Sequence, residues 1–356
     1  MRDPDRQFIV GDRRVGDGAP VFIVAEAGVN HNGDPALARR LVDVAAEAGA
    51  DAVKFQTFRS EALVSRSAPK AAYQREAADR DESQAEMLAR LELTLDQHAE
   101  LQEHCAKRGI LFFSSPFDER SADVLDTLGV RLFKLPSGEI TNLPFLRHVA
   151  AKGKPIILST GMSTLAEVAE AVAQIRAAGD PLLALLHCVS AYPAPASEMN
   201  LRAMDTLRER FGCPVGLSDH TLGIEVAVAA VARGAAIVEK HLTLDKRLPG
   251  PDHRASLDPG EMAALVRAIR TVEAALGDGE KRPMPSEDDT RRVARKSLVA
   301  ARPIRAGERL TADLIAIKRP GTGISPADLP RVLGRTVRRN LAADEVLDWM
   351  ALGEEG

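Results

Sequence analysis

The sequence predicts an α/β protein: a closed (β/α)8 barrel, or TIM barrel, followed by a small second domain. Three observations carry this. From residue 21 to about 277, short apolar runs alternate with longer amphipathic segments, the pattern of repeated βα units. The runs number eight and are nearly continuous in apolar residues, as strands buried on both faces must be. No GxGxxG follows the first run, which disfavours the alternative of an open doubly wound sheet with a dinucleotide site.

Taken in order, residues 1–20 form an N-terminal extension, MRDPDRQFIVGDRRVG and the four residues after it, too polar for a secretory signal. The barrel is expected over 21–277, with strands at VFIVAE (21–26), DAVKFQ (51–56), ILFFS (110–114), RLFKL (131–135), PIILS (155–159), LLALLH (182–187), PVGLS (214–218) and AIVEKH (236–241). Helix ends are legible between them. Asp34 and Pro35 open one helix and Gly49 closes it; Thr94 and Gly109 bound another; Ser163 and Gly179 are expected to bound a third. Residues 59–93 are a long insertion between the second and third units, a candidate flap over the mouth of the barrel. Residues 278–296, polar and rich in Gly, Pro and charge, read as a linker, and 297–353 as a compact domain with short strands such as SLVAAR and LIAIKR.

Composition narrows the function. With 45% hydrophobic and 28% charged residues and a net charge of −4, the chain is an ordinary globular protein with no basic excess for nucleic acid. No apolar run approaches the roughly 20 residues a membrane span needs, so a cytoplasmic location is expected. Cys105, Cys188 and Cys213 are widely spaced and read as reduced core thiols.

Functional groups of such a barrel collect at the C-terminal ends of its strands. Those ends carry Glu26, Lys54 with Gln56, Ser115, Lys134, Ser159 with Thr160, His187, Ser218 with His220, and Lys240 with His241. His220 and His241 end adjacent strands. Two neutral imidazoles with open positions suit a divalent ion such as Mn2+ or Mg2+ acting as a Lewis acid. Lys54 and Lys134 interrupt apolar strands, so each must face an anion, pair with Glu26 or Glu139, or serve as a Schiff-base lysine. Several cations beside serine and threonine hydroxyls favour a phosphate or carboxylate ligand. Strand alternation puts Glu239 and His241 on one face and Lys240 on the other; with His241 pointing into the barrel, Glu239 does too and is expected to support water at the metal, while Lys240 faces the helices in a structural role. In the loop LPGPDHRASLDP, His253 and Arg254 read as solvated.

Seven blocks, AEAGVNHNGD (25–34), VKFQTF (53–58), FKLPSGEITNLP (133–144), ILSTGM (157–162), GLSDHTLG (216–223), EKHLTLDK (239–246) and GPDHRASLDP (250–259), resemble in order those of the bacterial sialic acid synthase family. The tail, VARKSLVAARPIRAGE and KRPGTGIS, resembles that family's antifreeze-like (SAF) domain. The resemblance implies metal-dependent condensation of phosphoenolpyruvate with an open-chain N-acylated hexosamine to a nine-carbon 2-keto acid and phosphate, with C–O cleavage. By motif it implies that Lys54, Lys134, Ser137, Ser159 and Ser218 hold phosphate and carboxylate, and that His220 and His241 bind Mn2+ or Mg2+. Glu26, Gln56, Glu139, Tyr192 and Asp252 would serve the sugar or the water at the metal, with Ser115 also in the substrate site. Arg319 would reach the N-acyl group in a partner's barrel, implying a domain-swapped homodimer. The first acceptor is N-acetylmannosamine. Ser190, where sialic acid synthases commonly have Asn, and Ala27, where Ile is frequent, set a 2,4-diacetamido-trideoxy sugar, giving a legionaminic acid, beside it. A pyruvate lysine aldolase and an independent C-terminal binding module are the readings from other classes.

Overall fold

The computed structural model describes residues 7–65, 67–71, 74–75 and 82–353. The chain divides into two compact units, Met1–Gly277 and Asp278–Gly356. In the first, eight parallel strands, β3 (Phe22–Gly28), β4 (Ala52–Thr57), β5 (Leu111–Pro116), β6 (Phe133–Leu135), β7 (Ile156–Ser159), β8 (Leu183–Cys188), β9 (Val215–Asp219) and β10 (Ile237–His241), form one sheet in the order β5-β4-β3-β10-β9-β8-β7-β6. β10 pairs with β3, so the last strand returns to the first, and the sheet is a nearly closed TIM-type barrel with helices outside.

Alternation along each strand sorts the side chains into two cores. Ile23, Ala25, Val53, Phe55, Leu135, Leu158, Leu185, Leu217 and Val238 face the helices. Phe22, Val24, Ala52, Phe113, Leu132, Ile157, Ala184, Leu186 and Ile237 fill the lower interior of the barrel. Continuing the inward register up the same strands reaches Glu26, Lys54, Ser115, Lys134, Ser159, Cys188, Ser218, Glu239 and His241. The apolar floor and the polar mouth are thus two halves of one register.

The N-terminal extension is structured. β1 (Gln7–Val10) and β2 (Arg13–Gly16) pair antiparallel around the two-residue turn Gly11–Asp12, with Gly11 at φ 64°. Phe8, Val10 and Val15 pack into the lower barrel core and close its floor.

Helix termini follow local chemistry. Asp34 accepts from the Ala36 amide ahead of Pro35–Ala48, and Gly49 leaves that helix left-handed at φ 81°. Thr94 and Gln97 form a reciprocal capping box for Leu95–Arg108. For the helix Leu165–Gly179 the expected cap is displaced by one residue. Thr164 lies three residues before Glu167 and makes the capping box with it, whereas Ser163 donates to the Gly161 carbonyl. Gly179 stays helical, and Asp180 takes the left-handed position at φ 46°. A Cβ on Gly179 would lie 2.6 Å from the Ala150 carbonyl oxygen, so the glycine is there for close approach to the neighbouring helix Leu143–Ala150.

In the second unit the segment 278–296 contains the helix Asp288–Ala294. β11 (Ser297–Ala300) pairs antiparallel with β12 (Ile315–Lys318) over a core of Leu298, Ile304, Leu310, Leu314, Val332, Leu341 and Leu347. Among the described residues no helix is long and apolar enough to cross a membrane.

Two outcomes follow. Phe8→Ala should lower unfolding free energy by about 3–5 kcal/mol in a denaturant titration, because it empties the floor of the barrel. His31, in the loop after β3, is fully buried and accepts from the Gly33 amide through Nδ1, and burial pushes it down to about 4. The unfolded chain takes up this proton near 6.5 and the native chain only near 4, so this histidine's contribution is level above pH 6.5 and destabilising as pH falls toward 4. Wild type and His31→Asn, compared by thermal unfolding across that window, should diverge by up to about 3 kcal/mol, with the variant showing the shallower acid loss.

Candidate active site

The mouth of the barrel opens into a cavity of about 410 Å³. Its lining includes Glu26, Lys54, Gln56, Ser115, Lys134, Ser137, Ser159, Tyr192, Ser218, His220, His241 and Asp252. Of the residues that the motifs assign to the site, Glu139 and Arg319 lie outside this lining. Glu139 lies in the turn after β6, where Asn142 donates to it at 2.7 Å and burial raises its carboxyl. Arg319 is exposed in the second unit.

Four charges form a buried row across the interior. Lys54 Nζ lies 3.1 Å from Glu26 Oε2 and 3.3 Å from Glu239 Oε2, and Lys134 Nζ lies 3.7 Å from Glu239 Oε1. Hydroxyls complete the shell: Lys54 donates to Ser115 at 3.3 Å, Lys134 to Ser159 at 2.8 Å, and Ser218 donates to Glu239 at 2.9 Å. Lys54 therefore pairs with Glu26 as one reading of the sequence had it, but Lys134 pairs with Glu239 and not Glu139.

Burial and pairing set the protonation of the row. Burial pushes Glu26 up to about 7, against Lys54 and helped by the nearby Glu239 carboxylate. Burial works against charge on Glu239 too, but Lys134 and Lys54 outweigh it and hold that carboxyl down at about 2. Lys134 is lowered to about 8 by burial, with Glu239 the chief opposing influence. Burial alone would lower Lys54, yet Glu239 and Glu26 together keep it above its ordinary value.

Two residues beyond Glu239 on β10, the imidazole of His241 lies with its centroid 5.3 Å from that of His220, and Tyr192 is tilted against His220 at 4.1 Å and meets His241 edge-on at 5.7 Å. His220 Nδ1 lies 2.8 Å from the Val189 carbonyl and can only donate there, which leaves Nε2 unprotonated in the neutral ring. His241 is held well below its ordinary value by burial, and its Nδ1 is buried without a hydrogen-bond partner, 3.8 Å from Asp252 Oδ2. Burial raises Asp252 to about 6. Among the described residues no three His, Cys, Asp or Glu side chains converge as a ready metal site. Burial would lower His220, but Cys188 and the Val189 carbonyl raise it above the ordinary imidazole value, so an ion bound there displaces its proton; the two imidazoles, one with an orphaned nitrogen, and an adjacent carboxyl nevertheless fit a divalent ion that completes its shell with water and substrate oxygens.

The insertion lies over this cavity: Leu63, Val64, Met87, Leu88 and Leu91 line it, backed by Val29 and Phe117. That apolar wall faces the charged floor.

Three residues differ from expectation. His187 points away from the barrel and bonds the Met199 carbonyl, because the inward register of β8 falls on Ala184, Leu186 and Cys188. Cys188 is accordingly a cavity residue, 3.8 Å from His220 Nδ1, and not an ordinary core thiol. His253 is fully buried against Thr243 and Asn32, since its loop folds back over the turn after β3; Arg254 is exposed as expected. Thr160 is spent on the Leu186 carbonyl. Lys240 does lie outside the barrel, bonded to Asp219 at 2.7 Å and to the Thr221 carbonyl at 2.6 Å.

Comparison with known proteins gives the same picture. The NeuB family pattern matches residues 41–281 and the SAF domain pattern residues 295–352. The chain is 48% identical over 345 residues to the N,N'-diacetyllegionaminic acid synthase of Legionella pneumophila, covering 96% of this chain and 97% of that protein. It is 38% identical over 337 residues to the human N-acetylneuraminate-9-phosphate synthase, covering 94% and 93%. The crystal structure of the Leptospira borgpetersenii N-acetylneuraminic acid synthetase in complex with citrate superposes with a TM-score of 0.73 at 36% identity, over 82% of this chain and 95% of that one. With a cation-rich barrel mouth, a histidine pair and an SAF domain in one chain, this protein belongs to the NeuB family of sialic and legionaminic acid synthases.

Proposed function

We propose that this chain condenses phosphoenolpyruvate with the open-chain aldehyde of an N-acylated hexosamine, giving a nine-carbon 2-keto sugar acid and inorganic phosphate. The observation that carries the reading is a pair of buried ammonium groups, Lys54 and Lys134, in a cavity that His220 and His241 also line. The two lysines with Ser115, Ser137, Ser159 and Ser218 bind the phosphate and carboxylate. C3 of phosphoenolpyruvate forms the new bond to the aldehyde carbon, the oxygen of water adds at C2, and the C–O bond to phosphate breaks as phosphate leaves. His220 and His241 would hold a divalent ion, Mn2+ or Mg2+, which would supply Lewis acidity toward the aldehyde oxygen. Glu26, poised near neutrality by burial, holds or releases a proton at the reacting oxygens. Gln56, which donates to Glu26 at 3.2 Å, together with Tyr192 and Asp252, orients the sugar. Glu139, held by Asn142 in the turn after β6, is assigned to the sugar or the water at the metal. Arg319 is assigned to the N-acyl group in a partner's barrel, in a domain-swapped homodimer.

N-acetylmannosamine is the first acceptor. The apolar wall of Leu63, Val64, Met87, Leu88 and Leu91 and the 48% identity to a diacetyllegionaminic acid synthase support a second, 2,4-diacetamido-2,4,6-trideoxymannose. That wall offers contact to a 6-deoxy methyl, beside the amides of Gln74 and Gln84 from the same insertion. Family membership favours neither the lysine aldolase nor the stand-alone binding module.

Phosphate release should require phosphoenolpyruvate, a hexosamine and Mn2+ or Mg2+ together. Release that persists in EDTA would contradict the metal's part, and a substrate panel ranks the two acceptors. Lys134→Met should lower turnover by about 10²–10³, as for other lost transition-state donors. Borohydride trapping with pyruvate should leave Lys134 unlabelled; labelling would restore the aldolase reading.

A further inference from the structure

The charged row contains a carboxylate that anion binding does not call for. Glu239 is 4% exposed, lines the cavity, and lies within ion-pair distance of both lysines. A negative charge there repels the anions those lysines bind, so its presence needs another reason. The row is asymmetric. Lys54 has two carboxylate partners, Glu26 and Glu239, whereas among the described residues the ion pair of Lys134 is with Glu239 alone. Removing the Glu239 charge would leave Lys54 paired and Lys134, only 2% exposed, without a counter-ion.

We propose that Glu239 is a positioning residue for phosphoenolpyruvate: the buried counter-ion that keeps Lys134 protonated and fixes the spacing of the two ammonium groups before the anion arrives. Its two oxygens are divided for this task. Oε2 faces Lys54, while Oε1 faces Lys134 and accepts from Ser218. The ionisable groups around Lys134 are Glu239 from β10, Lys54 from β4, Cys188 from β8 and Glu26 from β3, with the neutral Ser159 hydroxyl from β7. Of the two carboxylates, Glu239 acts the more strongly on Lys134, and burial already brings that lysine down to about 8. Without Glu239, Lys134 loses its proton within the physiological range.

This inference rests on the proposed condensation of phosphoenolpyruvate, and its test separates the two. Glu239→Gln removes the charge, preserves the shape and still accepts from Ser218; Glu239→Asp keeps the charge. With hexosamine and Mn2+ saturating, kcat/KM for phosphoenolpyruvate is measured from pH 6 to 9.5, where it reports ionisations of the free enzyme. The wild-type profile should fall with an apparent pKa near 8. In Glu239→Gln that limb should move at least one unit lower. KM for phosphoenolpyruvate at pH 8 should rise about fivefold or more, with kcat less affected and partial recovery at pH 6, and Glu239→Asp should lie close to wild type. An active wild type whose limb is unmoved in a folded Glu239→Gln overturns this role alone. If that variant fails to fold, Glu239→Asp carries the test: a limb one unit or more lower in that charge-conserving variant overturns the role. A wild type that releases no phosphate with any hexosamine overturns the proposed function.

Discussion

The structure depends on one constraint: in a barrel of eight parallel strands every second side chain must point into a small closed interior. That interior must be filled at the bottom and can be functional only at the top. β3 meets this with Phe22, Val24 and Glu26, and β10 with Ile237, Glu239 and His241. Each strand spends its first inward residues on packing and its last on chemistry. The hairpin of Phe8, Val10 and Val15 seals the lower end, so the polar groups at the mouth are held by a packed plug rather than by a pore.

Charge inside such a barrel is tolerated only when it is neutralised locally, because the desolvation cost of an isolated ion exceeds what any one hydrogen bond returns. Two glutamates and two lysines do this at the mouth. The pair Lys240 and Asp219 does the same one residue away, on the helix side of the sheet, where it meets no cavity. Neighbours in sequence thus belong to separate electrostatic systems, and the strand between them is the partition.

Much of this was legible because periodicity is written directly into the sequence. The eight strands, the inward turn of Glu239 and His241, and the outward turn of Lys240 all follow from apolar runs and their parity. The hairpin floor was missed although its signal was present: the Gly11–Asp12 pair sits between FIV and RRV, the two-residue turn pattern of a hairpin. His187 and Cys188 were exchanged because parity is lost when the end of a strand is placed one residue early. The pairing of Lys134 with Glu239 could not be read at all. Their separation in sequence carries no information about which carboxylate, Glu139 nearby or Glu239 across the barrel, closes the distance.

We propose a division of labour in one cavity, with the lysines on the anion and the histidines on the metal. Crystals grown with Mn2+ and phosphoenolpyruvate, measured at the manganese absorption edge, test it most directly. The account predicts one anomalous peak bound by His220 and His241, with the phosphate and carboxylate of phosphoenolpyruvate on Lys54 and Lys134. A manganese peak away from both histidines, or phosphoenolpyruvate bound without contact to either lysine, would contradict it.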